Sequence, residues 1–187
     1  MQTKNAIIWV FIAVVIALIG FRIFNKPDVE TETPFVHPYP VKSSDTISSW
    51  NFEGAYKDGG ELEERANANI TRLRGLFGNG EYTDYELYIS LASQYDSLGD
   101  GEKAYENLGR ALVIDSQNSG LAWNNMGALM VQLGALDSAR EAYDRAIEAQ
   151  PIPVYYNAKI NFLERYFPEN EEEIKAVKEE AGQAGEY

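Results

Sequence analysis

The strongest constraint on the fold is an internal repeat in the middle of the chain. Eight positions recur at a constant offset of 35 residues, with the same internal spacings in both copies. The first copy contains Tyr88, Leu91, Ala92, Tyr95, Gly99, Ala104, Leu108 and Ala111. The second contains Trp123, Met126, Gly127, Met130, Gly134, Ala139, Tyr143 and Ala146, and Pro151 follows it. Large residues spaced three and four apart predict amphipathic helices, and a period of this length predicts stacked units.

The small residues and glycines of the repeat indicate a helical hairpin. Gly127, like Ala92 before it, is small enough for a second helix to approach closely. Gly134 follows the first helix, where a left-handed residue is favoured. Pro151 ends the second helix because it cannot continue it. A single hairpin leaves one apolar face uncovered, so neighbouring units must stack on it. The sequence therefore predicts an all-α, short helical-repeat solenoid.

The second copy carries the most specific motif of the chain. Trp123-x2-Met126-Gly127-x2-Met130, followed by Ala139-x3-Tyr143, Ala146 and Pro151, resembles a tetratricopeptide repeat (TPR). The first copy departs from this pattern at Ser116, where proline is usual. The resemblance is clear over 85–153 and looser over 60–181. It implies a TPR-like domain with a capping helix at 60–77, repeats at 85–118 and 120–153, a degenerate repeat at 154–181 and a flexible tail at 182–187.

The resemblance to TPR proteins implies a concave groove, lined by the first helix of each repeat, that binds a peptide or helix of a protein partner. The positions that carry over are Glu86, Ile89, Ser93, Asp96, Leu121, Asn124, Ala128, Val131, Tyr155, Ala158 and Phe162. This set is partly apolar and poor in positive charge, which favours a partner with apolar anchors and basic character. Gripping of a terminal carboxylate is disfavoured, because Asn124 stands beside Asn125 where lysine is needed. The alternative is that several of these residues only pack against neighbouring segments.

The N-terminal segment predicts a membrane anchor over 6–24, preceded by a short tail at 1–5. Ala6 to Phe24 contains one charged residue, Arg22. As a helix of ~1.5 Å per residue it would span about 28 Å, close to the ~30 Å hydrocarbon core. A cleaved signal peptide and a buried soluble helix are the alternatives. The positive charges on the two sides nearly balance, and we favour a bacterial inner-membrane protein whose C-terminal domain lies outside the cytoplasm.

Proline marks the segment between the anchor and the repeats. His37-Pro38-Tyr39-Pro40 excludes a helix, since each proline lacks a donor and restrains the residue before it. The segment 25–59 is therefore predicted to be an extended linker that carries the domain away from the lipid. Trp50, Phe52 and Tyr56 are unusual in a free linker, so they either pack on the first helix or dock a partner.

Charge and composition narrow the function. Of 16 basic residues three precede Pro27, so 13 remain against 29 acidic residues in the rest of the chain, which disfavours nucleic-acid binding. There is no cysteine, one histidine and no phosphate-binding glycine motif, so no catalytic residue, metal site or cofactor is predicted. The favoured function is a membrane-tethered adaptor or scaffold in bacterial envelope assembly or secretion. The alternatives are a structural subunit that self-associates or packs within a larger membrane complex, and a protein like an organelle import receptor. The oligomeric state stays open.

Overall fold

The computed structural model describes residues 35–57 and 59–184, and within these ranges it contains seven α-helices and no strand. The helices are α1 Glu61–Arg74, α2 Asp84–Ser97, α3 Gly101–Ile114, α4 Gly120–Gln132, α5 Leu136–Ala149, α6 Pro153–Tyr166 and α7 Glu171–Ala184. The prediction of an all-α helical-repeat fold is confirmed for this part of the chain. The predicted tail begins too early, because α7 continues to Ala184.

The predicted membrane anchor at 6–24 lies outside the described residues. None of the seven helices combines the length and the apolar composition that a bilayer-spanning segment needs.

The helices pack in chain order as a series of hairpins. The pairs α2–α3 and α4–α5 have the most extensive contacts, α6 and α7 form a third pair, and α1 packs on α2. Helix α1 thus precedes three successive helical pairs. Each helix of a pair buries its apolar stripe against its neighbours, so the core runs continuously from α1 to α7.

Small residues allow the close helix packing within each hairpin. Ala104, Ala111, Ala139 and Ala146 have no exposed surface. A Cβ atom added to Gly127 would lie 2.8 Å from the ring of Tyr143. Most of the other recurring residues are buried as well, whereas Tyr88 is half-buried and Gly134 and Pro151 are exposed.

Side-chain caps start three of the hairpin helices, and one cap comes from far away in sequence. Thr83 caps α2, Asp100 caps α3 and Ser119 caps α4 by accepting backbone N–H groups of the first turn. Helix α5 begins after Ala135, which has no capping side chain. Its missing cap is supplied by Asp45, which accepts from the N–H groups of Asp137 at 3.1 Å and Ser138 at 2.8 Å.

Residues 37–57, called the strap below, carry Asp45 to this position. The ring of His37 stacks on Tyr105 with a centroid distance of 3.6 Å. The Tyr105 hydroxyl donates to the carbonyl of Tyr39 at 2.6 Å, and the Tyr39 ring packs edge-on against Trp123 at 4.5 Å. The strap therefore differs from the extended spacer predicted over 25–59. Its aromatic rings and polar backbone groups contact the repeats, whereas a freely extended linker would leave these groups in water.

The end of the strap is hydrogen-bonded to the turn between α2 and α3. The N–H of Gly101 donates to the carbonyl of Trp50 at 2.8 Å, and the N–H of Phe52 donates to the carbonyl of Gly99 at 3.1 Å. The N–H of Tyr56 donates to Ser97 at 2.8 Å. Of the two alternatives for the linker aromatics, packing is observed for Trp50 and Phe52, which lie against the core, with the Trp50 ring 5.1 Å from that of Tyr105 on α3.

Removal of the Asp45 carboxylate should destabilise the domain. We expect Asp45→Ala to lower the free energy of unfolding by about 1–2 kcal/mol, because two N–H groups of the first turn of α5 lose their acceptor. Urea unfolding followed by circular dichroism measures this change. Glu53→Gln, which alters an exposed acidic residue of the same strap, is the control and should leave the midpoint unchanged. An unchanged midpoint for Asp45→Ala would show that the strap does not cap α5.

Two glycines at equivalent positions of the repeats allow the contribution of the strap contact to stability to be separated from backbone strain. Gly99 and Gly134 both have positive φ angles, +72° and +76°. A Cβ atom at Gly134 meets nothing within 4 Å, whereas one at Gly99 collides with the carbonyl oxygen of Phe52. Gly134→Ala should therefore cost only the left-handed backbone strain of about 1–2 kcal/mol. Gly99→Ala should cost at least about 1 kcal/mol more, because the strap must shift. Equal losses in urea unfolding would argue against a docked strap.

Candidate peptide groove and strap cleft

The first helices of the two complete repeats enclose a small cavity of about 110 Å³. Three of the predicted groove residues, Ser93, Asp96 and Ala128, lie on its wall. Asn125, which was not among the predicted groove residues, lines it as well. The apolar part of the cavity is formed by Ala92, Ala104, Leu108 and Leu129. The structure therefore brings together predicted residues of α2 and α4 around one hollow, with α3 behind it.

Asp96 is the charged group of this cavity. Its Oδ1 atom accepts from the Nε2 atom of Gln132 at 2.8 Å. Burial raises the pKa of the Asp96 carboxyl group, and the Gln132 hydrogen bond opposes this shift. Among the described residues, no lysine or arginine forms an ion pair with Asp96. The cavity thus holds a partly desolvated carboxylate without a positive partner.

Five other predicted groove residues have differing degrees of exposure. Leu121 is exposed, whereas Ile89, Val131 and Ala158 are half-buried and pack against the core. Asn124 is also half-buried, and its Oδ1 atom accepts no hydrogen bond from the described part of the chain.

Three predicted groove residues have other roles in the structure. The carboxylate of Glu86 accepts from the N–H and hydroxyl groups of Thr83, both at 2.8 Å, and so completes the capping box of α2. Tyr155 is 7% exposed and lies against Gly120. Phe162 is 4% exposed and packs against Tyr143 with a centroid distance of 5.2 Å. The two rings fill space between α6 and its neighbours, so Tyr155 and Phe162 do not line an accessible groove.

A second and larger cavity of about 510 Å³, the strap cleft, lies between the strap and α3–α5. Its apolar wall includes Trp123, Met126 and Met130. The charges at its rim are paired: Glu141 lies 3.1 Å from the Lys42 ammonium and 2.9 Å from the Arg145 guanidinium. The sequence did not predict this cleft, although the aromatic residues of the predicted linker indicated that the linker packs on another part of the chain.

His37 is held in its neutral form where the strap begins to follow the repeats. Its Nδ1 atom accepts from the N–H of Tyr39 at 3.0 Å, which requires that nitrogen to be unprotonated. Burial lowers the pKa of His37 to about 4, well below its ordinary value of 6.5. The imidazole thus contributes to strap docking as an uncharged ring stacked on Tyr105.

Acid should weaken the docked strap through His37. The folded protein binds a proton at His37 less readily than the unfolded chain, so stability is fully present above pH 6.5 and is lost as the pH falls toward 4. We expect the free energy of unfolding of the wild type to fall more steeply in this window than that of His37→Asn, which cannot titrate. Urea unfolding between pH 7.5 and 4.5 gives both curves. Parallel curves would contradict the neutral, buried state of the ring.

No cluster of metal-binding side chains occurs in residues 35–57 and 59–184.

The comparisons with known proteins agree with this geometry in one region. Residues 121–153, which comprise α4, α5 and the start of α6, match the family model of the tetratricopeptide repeat. No significant match was found among curated proteins or among solved structures. The match supports the TPR family and a role in protein–protein interaction.

Proposed function

We propose that the protein is a membrane-tethered adaptor that binds a partner polypeptide on the face formed by α2 and α4. The observation that carries this proposal is the hollow between these helices, where Ser93, Asn125 and Ala128 lie beside the Asp96 carboxylate, which has no ion-pair partner among the described residues. The TPR match at 121–153 supports it, because this repeat is typical of protein-binding modules without catalytic activity.

The surface proposed to bind the partner combines apolar and polar groups. Leu121 and Ala128 provide exposed apolar surface on α4, and Ser93 and Asp96 provide polar groups on α2. An extended segment or helix with an apolar anchor and a positive charge matches this combination. A partner rich in acidic residues would meet repulsion from a domain with an excess of carboxylates.

The tether is proposed from residues 6–24, an apolar segment that is interrupted only by Arg22 and has the length of a membrane-spanning helix. With the binding domain outside the cytoplasm of a bacterium, the adaptor would act in envelope assembly or secretion. Carbonate extraction of membranes tests the tether, and protease added to spheroplasts tests the orientation. Recovery of the chain in the soluble fraction would remove the tether from the proposal.

We favour the adaptor over self-association. Self-association would use the convex face or the aromatic residues Trp50 and Tyr56, and both of these residues are half-buried where the strap meets the α2–α3 turn.

Site-specific crosslinking tests the proposed groove. A photoreactive amino acid at Ser93 or Ala128 should capture the same partner in cells of the source organism, since both positions are exposed on the hollow. The same group at Glu148, exposed on α5, is the control and should not capture it. Mass spectrometry identifies the partner. Capture at Glu148 but at neither groove position would contradict binding between α2 and α4.

A further inference from the structure

The cavity between α2 and α4 has the dimensions and chemistry of a receptacle for one side chain. We infer that it binds a lysine side chain of the partner, with Asp96 as the acceptor of the ammonium group. This inference rests on the proposed function and specifies which residue of the partner the groove selects.

The volume decides against a free small molecule. Ligand pockets typically have volumes of about 300–1,000 Å³, whereas this cavity measures about 110 Å³. That is a few times the ~30 Å³ that one water molecule occupies in the liquid. The end of a side chain fits this space, and the rest of the partner would lie across the exposed surfaces of α2 and α4.

The walls fit a chain of methylene groups that ends in a polar head. Ala92, Ala104, Leu108 and Leu129 provide apolar surface for the stem. Ser93, Asp96 and Asn125 line the same cavity, and each has a side-chain oxygen atom. Within the described residues, no hydrogen bond engages the hydroxyl of Ser93 or the side-chain amide of Asn125. A lysine ammonium has three N–H donors, and these three side chains offer it acceptors.

Asp96 differs in its charge environment from Glu141, the carboxylate at the strap cleft. Glu141 is paired with Lys42 and Arg145, whereas Asp96 accepts only from the neutral amide of Gln132. A desolvated carboxylate without a cation is unfavourable, which is why burial raises the pKa of Asp96. A bound ammonium group would compensate this charge.

Lysine suits this site better than arginine because Gln132 already uses part of the acceptor capacity of the carboxylate. Arginine binds a carboxylate most strongly through two parallel hydrogen bonds, one to each oxygen. The Oδ1 atom of Asp96 already accepts from Gln132, so Oδ2 is the oxygen with its full acceptor capacity left for the ligand. A compact ammonium group needs only one such oxygen and can direct its other donors to neighbouring acceptors.

The next repeat carries different side chains at positions equivalent to the cavity wall. The ring of Tyr143 lies against Gly127 between α4 and α5. At the equivalent positions the first repeat has Leu108 and Ala92, and both line the cavity.

A lysine side-chain analogue tests the receptacle without knowledge of the partner. The full chain, labelled with ¹⁵N and kept in detergent micelles, is titrated with butylammonium chloride. We expect saturable shifts of the amide signals of Ser93, Asp96, Asn125 and Ala128. Sodium chloride at the same ionic strength and 1-butanol are the ligand controls. Asp96→Asn should weaken butylammonium binding at least five-fold, since asparagine keeps the shape and an acceptor for Gln132 but loses the charge.

Two further variants make the result decisive. Glu148→Gln removes one exposed negative charge from α5 and should leave binding unchanged. Ala128→Leu adds bulk at the mouth of the cavity with Asp96 intact, and should also abolish the shifts. Circular dichroism melts of all variants check the fold. Equal shifts with 1-butanol, or undiminished binding by Asp96→Asn, would overturn the inference.

The result also separates this inference from the proposed function. If Ser93 and Ala128 capture a partner in cells while butylammonium fails to bind, the lysine receptacle is wrong and the adaptor stands. If butylammonium binds through Asp96 but no partner is captured at the groove, the adaptor proposal fails instead.

Discussion

Close approach of two helices at a small residue is the constraint on which the rest of the structure depends. In the second repeat the Tyr143 ring lies directly on Gly127, and any side chain at that glycine would displace it. Ala104 and Ala139 have no exposed surface where the second helices begin to pack. Each hairpin that is packed in this way still has an uncovered apolar face, which the next hairpin must cover. This stacking of hairpins produces the solenoid.

A second recurring feature extends the repeat beyond the eight positions seen in the sequence. Arg110 lies over the ring of Tyr88 and pairs with Glu106, and the equivalent Arg145 lies over Trp123 and pairs with Glu141. In each repeat the exposed side of this aromatic ring is covered by another ring. Phe77, which follows α1, covers Tyr88 at 5.0 Å, and Tyr39 of the strap covers Trp123 at 4.5 Å. The strap thus covers the aromatic ring of the second repeat, just as the segment that follows α1 covers that of the first.

The sequence predicted the hairpins but not the strap, and the reason is physical. Positions such as Ala92 and Gly127 recur because helix packing imposes the same spacing on each unit, so a periodicity search finds them. Asp45 caps a helix that begins about 90 residues later, and no local pattern reports such a contact. In the third repeat Phe162 was assigned to the groove by register alone, but the register changes where Pro153 starts α6, and the ring turns inward. In the two regular repeats the predicted positions Ser93 and Ala128 are exposed and line the cavity between α2 and α4.

Helix periodicity separates the surface of α4 that faces the strap from the surface that faces α2. Trp123, Met126 and Met130 point toward the strap cleft, whereas Asn125 and Ala128 line the cavity shared with α2. Residues spaced three or four apart share one face, so these two sets diverge around the helix. Helix α3 makes the same division, with Tyr105 holding the strap and Ala104 and Leu108 lining the cavity. Changes at Asp96 and Ala128 are therefore expected to leave the strap contacts in place, so the proposed partner binding can be tested without disturbing the strap.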